Sequence, residues 1–414
     1  MLLRIAWRNL WRHRSRTLIL GSAVTLSFAL LLASMGMGDD SHQQILDAAV
    51  EGAGGDVLIH GAGFWDARTA DIVVPAADSV AAIARRVDGV RAALPRVLVP
   101  GLLSTAAGNQ PLQLVGIVPG LEAALKDVSA DVKEGERLEA SAARSPLLIG
   151  RPVADELEVG PGDRVVLTAS GVDGEITRAL FHVAGIIETG RTDIDELLAY
   201  TTLDAARRAL GMSGEVSQVG LLLERGERSA VVKERVERAL RGRAEGLEVL
   251  TWQEALPEMV GYVEIDDAFL YIYVVVIYVV VIFAIANTFL VAVMERVREL
   301  GLLNALGMRG GRIARMILGE TTFLVLLSMA VGFLVALGIH FSLVRWGLPM
   351  AAFGVDEMEL SGVDLSTLVI RSRITPLKWV VASALVGVST VAAAIYPALR
   401  AARLAPAEAM RFYE

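Results

Sequence analysis

AFLYIYVVVIYVVVIFAIANTFLVAVM, residues 268–294, is a run of 27 residues without a charged side chain. A helix rises about 1.5 Å per residue, so about 20 apolar residues cross the hydrocarbon core of a bilayer. Three further stretches meet the same requirement. TLILGSAVTLSFALLLASMGM covers 17–37, the segment 316–344 contains LVLLSMAVGFLVALGI, and 375–397 starts at Thr375-Pro376. That last pair is an N-cap residue followed by a proline at the first helical position. A buried soluble helix explains any one of these runs but not four of them. The whole-chain numbers agree: 54% of the 414 residues are hydrophobic and the mean hydropathy is +0.52, too apolar for an ordinary soluble protein. The fold class read from the sequence is a membrane protein of four α-helical spans.

Charge orients the spans. Residues 1–16 carry Arg4, Arg8, Arg12, Arg14 and Arg16 and no acid, and 295–315 carries five arginines against Glu295 and Glu299. The tail, 398–414, holds Arg400, Arg403 and Arg411 against Glu408 and Glu414. Between the first two spans the balance reverses: residues 38–267 hold 22 basic and 38 acidic side chains, a net of −16. Positive flanks stay in the cytoplasm. Both termini and the 295–315 loop are therefore expected inside, with the large domain and the shorter 345–374 loop outside. Arginines before the first run and ASMG after it also suit a signal peptide, but the apolar core is longer than a typical signal core. An anchor is expected.

The 38–267 segment has the size of a domain and mixed punctuation. DVLIHG, DRVVLTA and LFHVAGI alternate like strands, and Gly171-Val172-Asp173-Gly174 between two such runs predicts a hairpin. SVAAIARRV and SAVVKERVERALRGR follow a helical period, the second with alternating charge that implies a solvated face. A large α+β domain of two lobes is expected. The chain has no cysteine, so neither a disulfide framework nor a thiolate metal site is available.

The cytoplasmic loop MERVRELGLLNALGMRGGRIARM places Val297, Leu300, Leu303 and Leu306 about three residues apart, an apolar stripe flanked by charge. Gly307 stands where a helix C-cap is expected. The spacing predicts a short amphipathic helix, resting either on lipid headgroups or in the groove of a soluble partner.

Three blocks resemble the FtsX-like permeases of ABC transporters: IAWRNLWRHRSRTLIL, NTFLVAVMERVRELGLLNALGM (287–308) and YPALRAARLAPAEAMRF. The resemblance covers both cytoplasmic ends and the central loop. It implies a bacterial inner-membrane protein with an amphipathic helix over 1–16, and a second permease chain, like or unlike. It also implies a dimer of separate ABC ATPase subunits, which would hold ATP and Mg. The 295–308 segment then becomes the coupling helix, with Glu295, Arg296, Arg298, Glu299, Leu300, Leu303, Leu306, Gly307 and Met308 meeting the ATPase.

Within that family, LLIGRPVADELEVGPGDRVVL is similar to a segment of lipoprotein-releasing and macrolide-exporter permeases. FHVAGIIETGRTDIDELLAYTTLDAARRALG resembles the lipoprotein-releasing branch more. The hairpin around Gly171–Thr177 is too short for the chaperone-gripping hook of one lipoprotein-releasing subunit, which leaves open whether a periplasmic chaperone or adaptor binds. Two other functions stay open: an efflux permease paired with a periplasmic adaptor, and a mechanical regulator of a cell-wall hydrolase.

Enzyme readings fare poorly. There is no GxxxxGK[ST] loop, no HExxH and no GxSxG, and the five histidines are scattered. No cofactor on this chain, no metal and no nucleic acid are expected, since the basic segments lie against the membrane, where anionic lipid or the ATPase explains them. The acids Asp193, Asp195 and Glu196 read as a solvated loop. Gly332 and Gly338, with Ala330 and Ala336, are expected to let helices pack closely. Helical character is expected to run from Val260 into the second span as a stalk. Met35, Met37, Tyr262 and Phe269 are candidate lining for acyl chains at the outer mouth. With no proton relay in the spans, ATP-driven motion is expected to reach the external domain through rigid helices.

Overall fold

The computed structural model describes residues 14–242, 246–294, 302, 305–306, 308–349, 359–360, 363–364 and 369–403. Its first element, α1 (Arg14–Ala53), is a 40-residue helix that continues well past the apolar run. The extension is written in the sequence: Leu46, Ala49, Val50 and Ala53 recur at helical spacing and pack with Leu58 and Trp252. The chain forms two compact units. Residues 1–44 and 264–349, with 369–414, make a helical unit; 45–263, with 350–368, make an α+β unit.

The α+β unit is built on ten strands: β1 (Val57–Gly61), β2 (Val90–Ser104), β3 (Asn109–Ile117), β4 (Val132–Gly135), β5 (Pro146–Gly150), β6 (Arg164–Ser170), β7 (Ile176–Ile187), β8 (Leu198–Thr202), β9 (Gln218–Leu223) and β10 (Leu247–Thr251). Two lobes share β2. Its first half, from Val90 to Arg96, pairs with β9, which leads on to β1 and β10 in an antiparallel sheet. Its second half pairs with β3 on one side and β6 on the other. From β3 the pairing passes to β8, β5, β7 and back to β6, so these six strands close on themselves. Closure leaves no unpaired edge in the ring. The β3–β8 and β5–β7 contacts are parallel and the other four antiparallel. The expected hairpin is the β6–β7 connection, with Gly174 at φ 79°.

Three helices cover this framework: α2 (Ala77–Ala84), α3 (Leu203–Leu210) and α4 (Ser229–Leu240). The Thr202 side chain caps α3 by accepting the Ala205 N–H, and Gly211, at φ 74°, ends it. On α4, Val232, Val236 and Leu240 face the core at i, i+4, i+8 while the charges point outward. The core contains Leu103, Leu114, Leu147, Ile149 and Phe181, each fully buried.

The helical unit adds α5 (Pro257–Met294), α6 (Gly310–Trp346) and α7 (Pro376–Arg403). Among the described residues three helices are long and apolar enough to cross a membrane: those holding Thr17–Ala53, Gly310–Trp346 and Pro376–Ile395. In α5, whose 38 residues extend N-terminally beyond Val260, the shorter apolar stretch Tyr271–Val280 is found.

Candidate functional site

The four long helices meet around one apolar cluster. Phe28, Leu31 and Leu32 of α1 pack with Ile277 and Tyr278 of α5, Ala336 of α6, and Trp379 and Val386 of α7. Close approach is enforced at Gly332, where a Cβ would come within 2.9 Å of the Thr25 carbonyl oxygen and 3.1 Å of the Phe28 ring. Ala336, one turn on, is completely buried. Gly338 has open space around it and Ala330 is exposed, so only half of the small residues expected to permit close packing do so. Polar groups tie the helices together. Thr25 Oγ1 donates to the Ser328 carbonyl at 3.1 Å, and the Tyr278 hydroxyl to that of Leu385 at 3.2 Å.

One end of this bundle is polar. Lys378 Nζ pairs with Asp39, which is buried. The Arg373 N–H donates to the Gly36 carbonyl at 2.9 Å, and His340 Nδ1 lies 3.0 Å from Ser372 Oγ. Met35 packs nearby, in the cluster with Trp379. Of the other candidate acyl-lining residues, Met37 is half-buried and Phe269 is 68% exposed on α5. Tyr262 falls on α5, and its side chain lies outside the described residues.

The other end carries the loop between α5 and α6. Glu295, Arg296, Arg298, Glu299, Leu300, Leu303 and Gly307 lie outside the described residues. Of the rest, the Leu306 N–H donates to the Leu302 carbonyl at 3.0 Å, one turn of helix. Both leucines are exposed, Leu306 at 77%. Met308 behaves differently: it tucks against Ile313, Met316 and Ile317 of α6 and Ala398 of α7.

Residues 271–406, which hold α6, α7 and most of α5, match the C-terminal domain of FtsX-like permeases. The chain carries an FtsX-like permease domain. The lipoprotein-releasing system transmembrane protein LolC of Neisseria meningitidis serogroup B is 24% identical to this permease over 349 residues, 78% of this chain and 79% of that one. LolC of Xylella fastidiosa is 23% identical over 311 residues, 73% and 74% of the two chains. Among solved structures, the periplasmic region of MacB from Actinobacillus actinomycetemcomitans matches 51% of the permease and 95% of its own length at 13% identity and a TM-score of 0.37. The extracellular domain of the noncanonic ABC-type transporter YknZ from Gram-positive bacteria matches 43% and 91% at 17% identity and a TM-score of 0.32.

In the α+β unit the β6–β7 hairpin is tied down. The Val172 N–H donates to the Leu210 carbonyl at 3.0 Å and the Thr177 hydroxyl to that of Ala209 at 3.3 Å. The acidic residues 193–196 are expected in a solvated loop; Glu196 is exposed, but the backbone is helical and Asp195 departs from the expectation. The segment lies on a short helix, Thr192–Leu197, and Asp195 is buried, accepting the Thr189 N–H at 3.0 Å and hydroxyl at 2.9 Å. Burial raises its pKa above the usual aspartate value despite those bonds. Among the described residues no group of acids and histidines could hold a metal.

Sequence reasoning missed a cavity of about 570 Å³ in this unit. Strand alternation builds its wall: Arg96, Leu98 and Pro100 of β2, Pro111, Gln113 and Val115 of β3, and Leu198 and Tyr200 of β8 line it. Val97, Val99, Leu114 and Ala199, at intervening positions, face the core, and Leu112 borders both the core and the cavity. Arg96 and Glu122 form a buried ion pair, and Lys126 Nζ lies 2.7 Å from Glu51. Burial opposes the charge on Arg96, but the Glu122 carboxylate outweighs it and raises the pKa. Each strand carries an ordinary period-2 pattern, so nothing local marked the residues that face a cavity.

Proposed function

We propose that this permease is the membrane subunit of an ATP-driven machine that extracts lipoproteins from the outer leaflet of a bacterial inner membrane. It spans the bilayer four times, α5 providing the remaining span, with both termini inside. The ATPase is a separate pair of subunits holding ATP and Mg, and a second permease chain completes the complex. The observation that supports the coupling is the placement of Leu302, Leu306 and Met308. Met308 packs against the ends of α6 and α7, while Leu302 and Leu306 stand exposed. Exposed apolar side chains at a fixed point are what a partner groove takes up. The cargo reading rests on the LolC relatives, which align over about three-quarters of the chain.

Changing Leu303 and Leu306 together to Asp tests the coupling, because it places charge in a desolvated contact at a cost of several kcal/mol. The variant is expected to insert in the membrane and to lose ATPase co-purification in detergent, where headgroup contacts are absent. Undiminished ATPase binding by the variant would overturn the coupling role. Native cargo co-purified with the wild type and identified by mass spectrometry tests the lipoprotein reading separately.

A further inference from the structure

The cavity on the outer face of β2, β3 and β8 is lined by more cations than carboxylates. Arg68, Arg96, Lys126 and Arg191 line it against Glu51 and Glu122, a net of +2. The segment that contains it, 38–267, carries −16. Two of the four cations pair with the two carboxylates, as Arg96–Glu122 and Lys126–Glu51, and Arg191 has interactions of its own.

Arg68 is placed differently. Its guanidinium carbon lies 4.4 Å from the centroid of the Trp65 ring, and among the described residues no carboxylate pairs with it. Partial burial works against its charge, yet a guanidinium does not give up its proton in a protein. A ligand anion would supply the missing partner, and an arginine fork is suited to carboxylate or phosphate.

Beside this cation runs an apolar strip. Leu98, Pro100 and Leu112 border both the main cavity and a smaller one of about 150 Å³ that Arg68 and Trp65 also line. Leu197, on the main cavity, is 51% exposed. A volume of about 570 Å³ falls in the range that takes a ligand of drug size, roughly 300–1,000 Å³. At Gly52, on the last turn of α1, a Cβ would meet nothing within 4 Å, so the helix offers no side chain to fill the space.

We propose that this cavity binds a single-chain amphiphile with an anionic headgroup, the head on Arg68 and the chain along Leu98, Pro100 and Leu112. The site goes beyond the transport reading and does not depend on it, because every contact lies within the α+β unit and no ATPase or cargo protein is involved.

The test uses the full chain in lipid nanodiscs and dodecanoate carrying a diazirine on its chain, with crosslinks mapped by mass spectrometry. Labelling is expected on 96–115, within β2 and β3. Gly52→Leu, whose Cβ meets no neighbour within 4 Å, is expected to reduce it at least tenfold. Arg68→Gln is expected to weaken it about fivefold or more. Shortening the chain to decanoate removes two methylenes and should cost about tenfold, since each buried methylene contributes about 0.8 kcal/mol. Competition by unlabelled dodecanoate alone assigns a fatty-acid head, and competition by dodecyl phosphate as well assigns a general anion site; both support the proposal. Labelling that Gly52→Leu leaves unchanged, that neutral dodecyl maltoside competes equally well, or that falls only on the spanning helices would overturn it.

Discussion

The helical unit and the α+β unit place their large side chains in opposite ways. In the α+β unit Phe181, Leu103 and Leu114 are fully buried. In the helical unit Phe283 is 75% exposed, Leu377 74% and Leu334 66%, and only about a third of each spanning window is buried within the chain. Polar groups follow the reverse rule: Asp39 and Thr390 are buried among helices, whereas the charges of α4 face outward. Both arrangements obey one physical requirement, that each surface match what covers it. Water covers the α+β unit; lipid or another membrane chain must cover helices that expose this much hydrocarbon.

The sharpest way to break this contrast is a pair of matched truncations. Phe181→Ala is expected to destabilise the α+β unit by about 3–5 kcal/mol, read as a lowered urea midpoint. Phe283→Ala, on an outward helix face, is expected to leave the fold of the chain within about 0.5 kcal/mol. Comparable losses at the two sites would refute the assignment of their surroundings.

Within the helical unit a second pair separates packing from apolarity. Gly332→Val forces a Cβ against the Thr25 carbonyl oxygen and is expected to cost about 1–3 kcal/mol, seen as earlier thermal aggregation in detergent. Gly338→Val, with open space around it, is expected to change little.

Smaller still is the cap at the end of the α+β unit. Thr251 accepts the Glu254 N–H, and the Glu254 carboxylate accepts the Thr251 N–H at 2.8 Å, a reciprocal box. Thr251→Ala is expected to cost about 1 kcal/mol, with faster hydrogen exchange in the first turn of Trp252–Ala255 as the local readout.

The slightest effect concerns pH. Burial raises the pKa of Asp56, Asp131 and Asp195, so in the window between the unfolded and folded values the native state binds more protons. Their contribution to stability therefore rises as pH falls from neutral through the folded pKa values toward the unfolded value near 3.8. Glu254 behaves oppositely. Burial raises its pKa, but the Lys233 and Thr251 bonds outweigh that and hold it below the ordinary value. Its contribution is present above the unfolded value and lost as pH falls through the folded one. A urea midpoint at pH 5.5 at least equal to that at pH 7 is expected; a clear fall over that interval would show that other groups dominate.

Periodicity and charge carried much of the fold. The apolar runs, the Gly171–Gly174 hairpin and the helix of SVAAIARRV needed only neighbours in sequence, and each is found where its pattern lies. What escaped notice is non-local. The ring closure depends on β3 meeting β8 and β5 meeting β7, partners 36 or more positions apart in parallel contacts that leave no turn signal between them. Asp195 escaped because a carboxylate that burial and Thr189 enclose looks, in sequence, like any acid in an acidic stretch. The cavity residues come from several separate segments, and only the folded register of β2, β3 and β8 brings them to one face. The 287–308 motif could be read for the opposite reason: its spacing, charge and glycine stand together within one stretch.

One strand of 15 residues, β2, belongs to two sheets, pairing with β9 through its first half and with β3 and β6 through its second. Neither lobe can therefore be exchanged between permeases as a separate module. A chimera joined near Arg96–Val97 would break a ladder in one lobe and the ring in the other. New binding properties in this half of the protein must instead be acquired by substitution on existing faces, or by lengthening connections such as the β6–β7 turn, where additions leave the shared strand untouched.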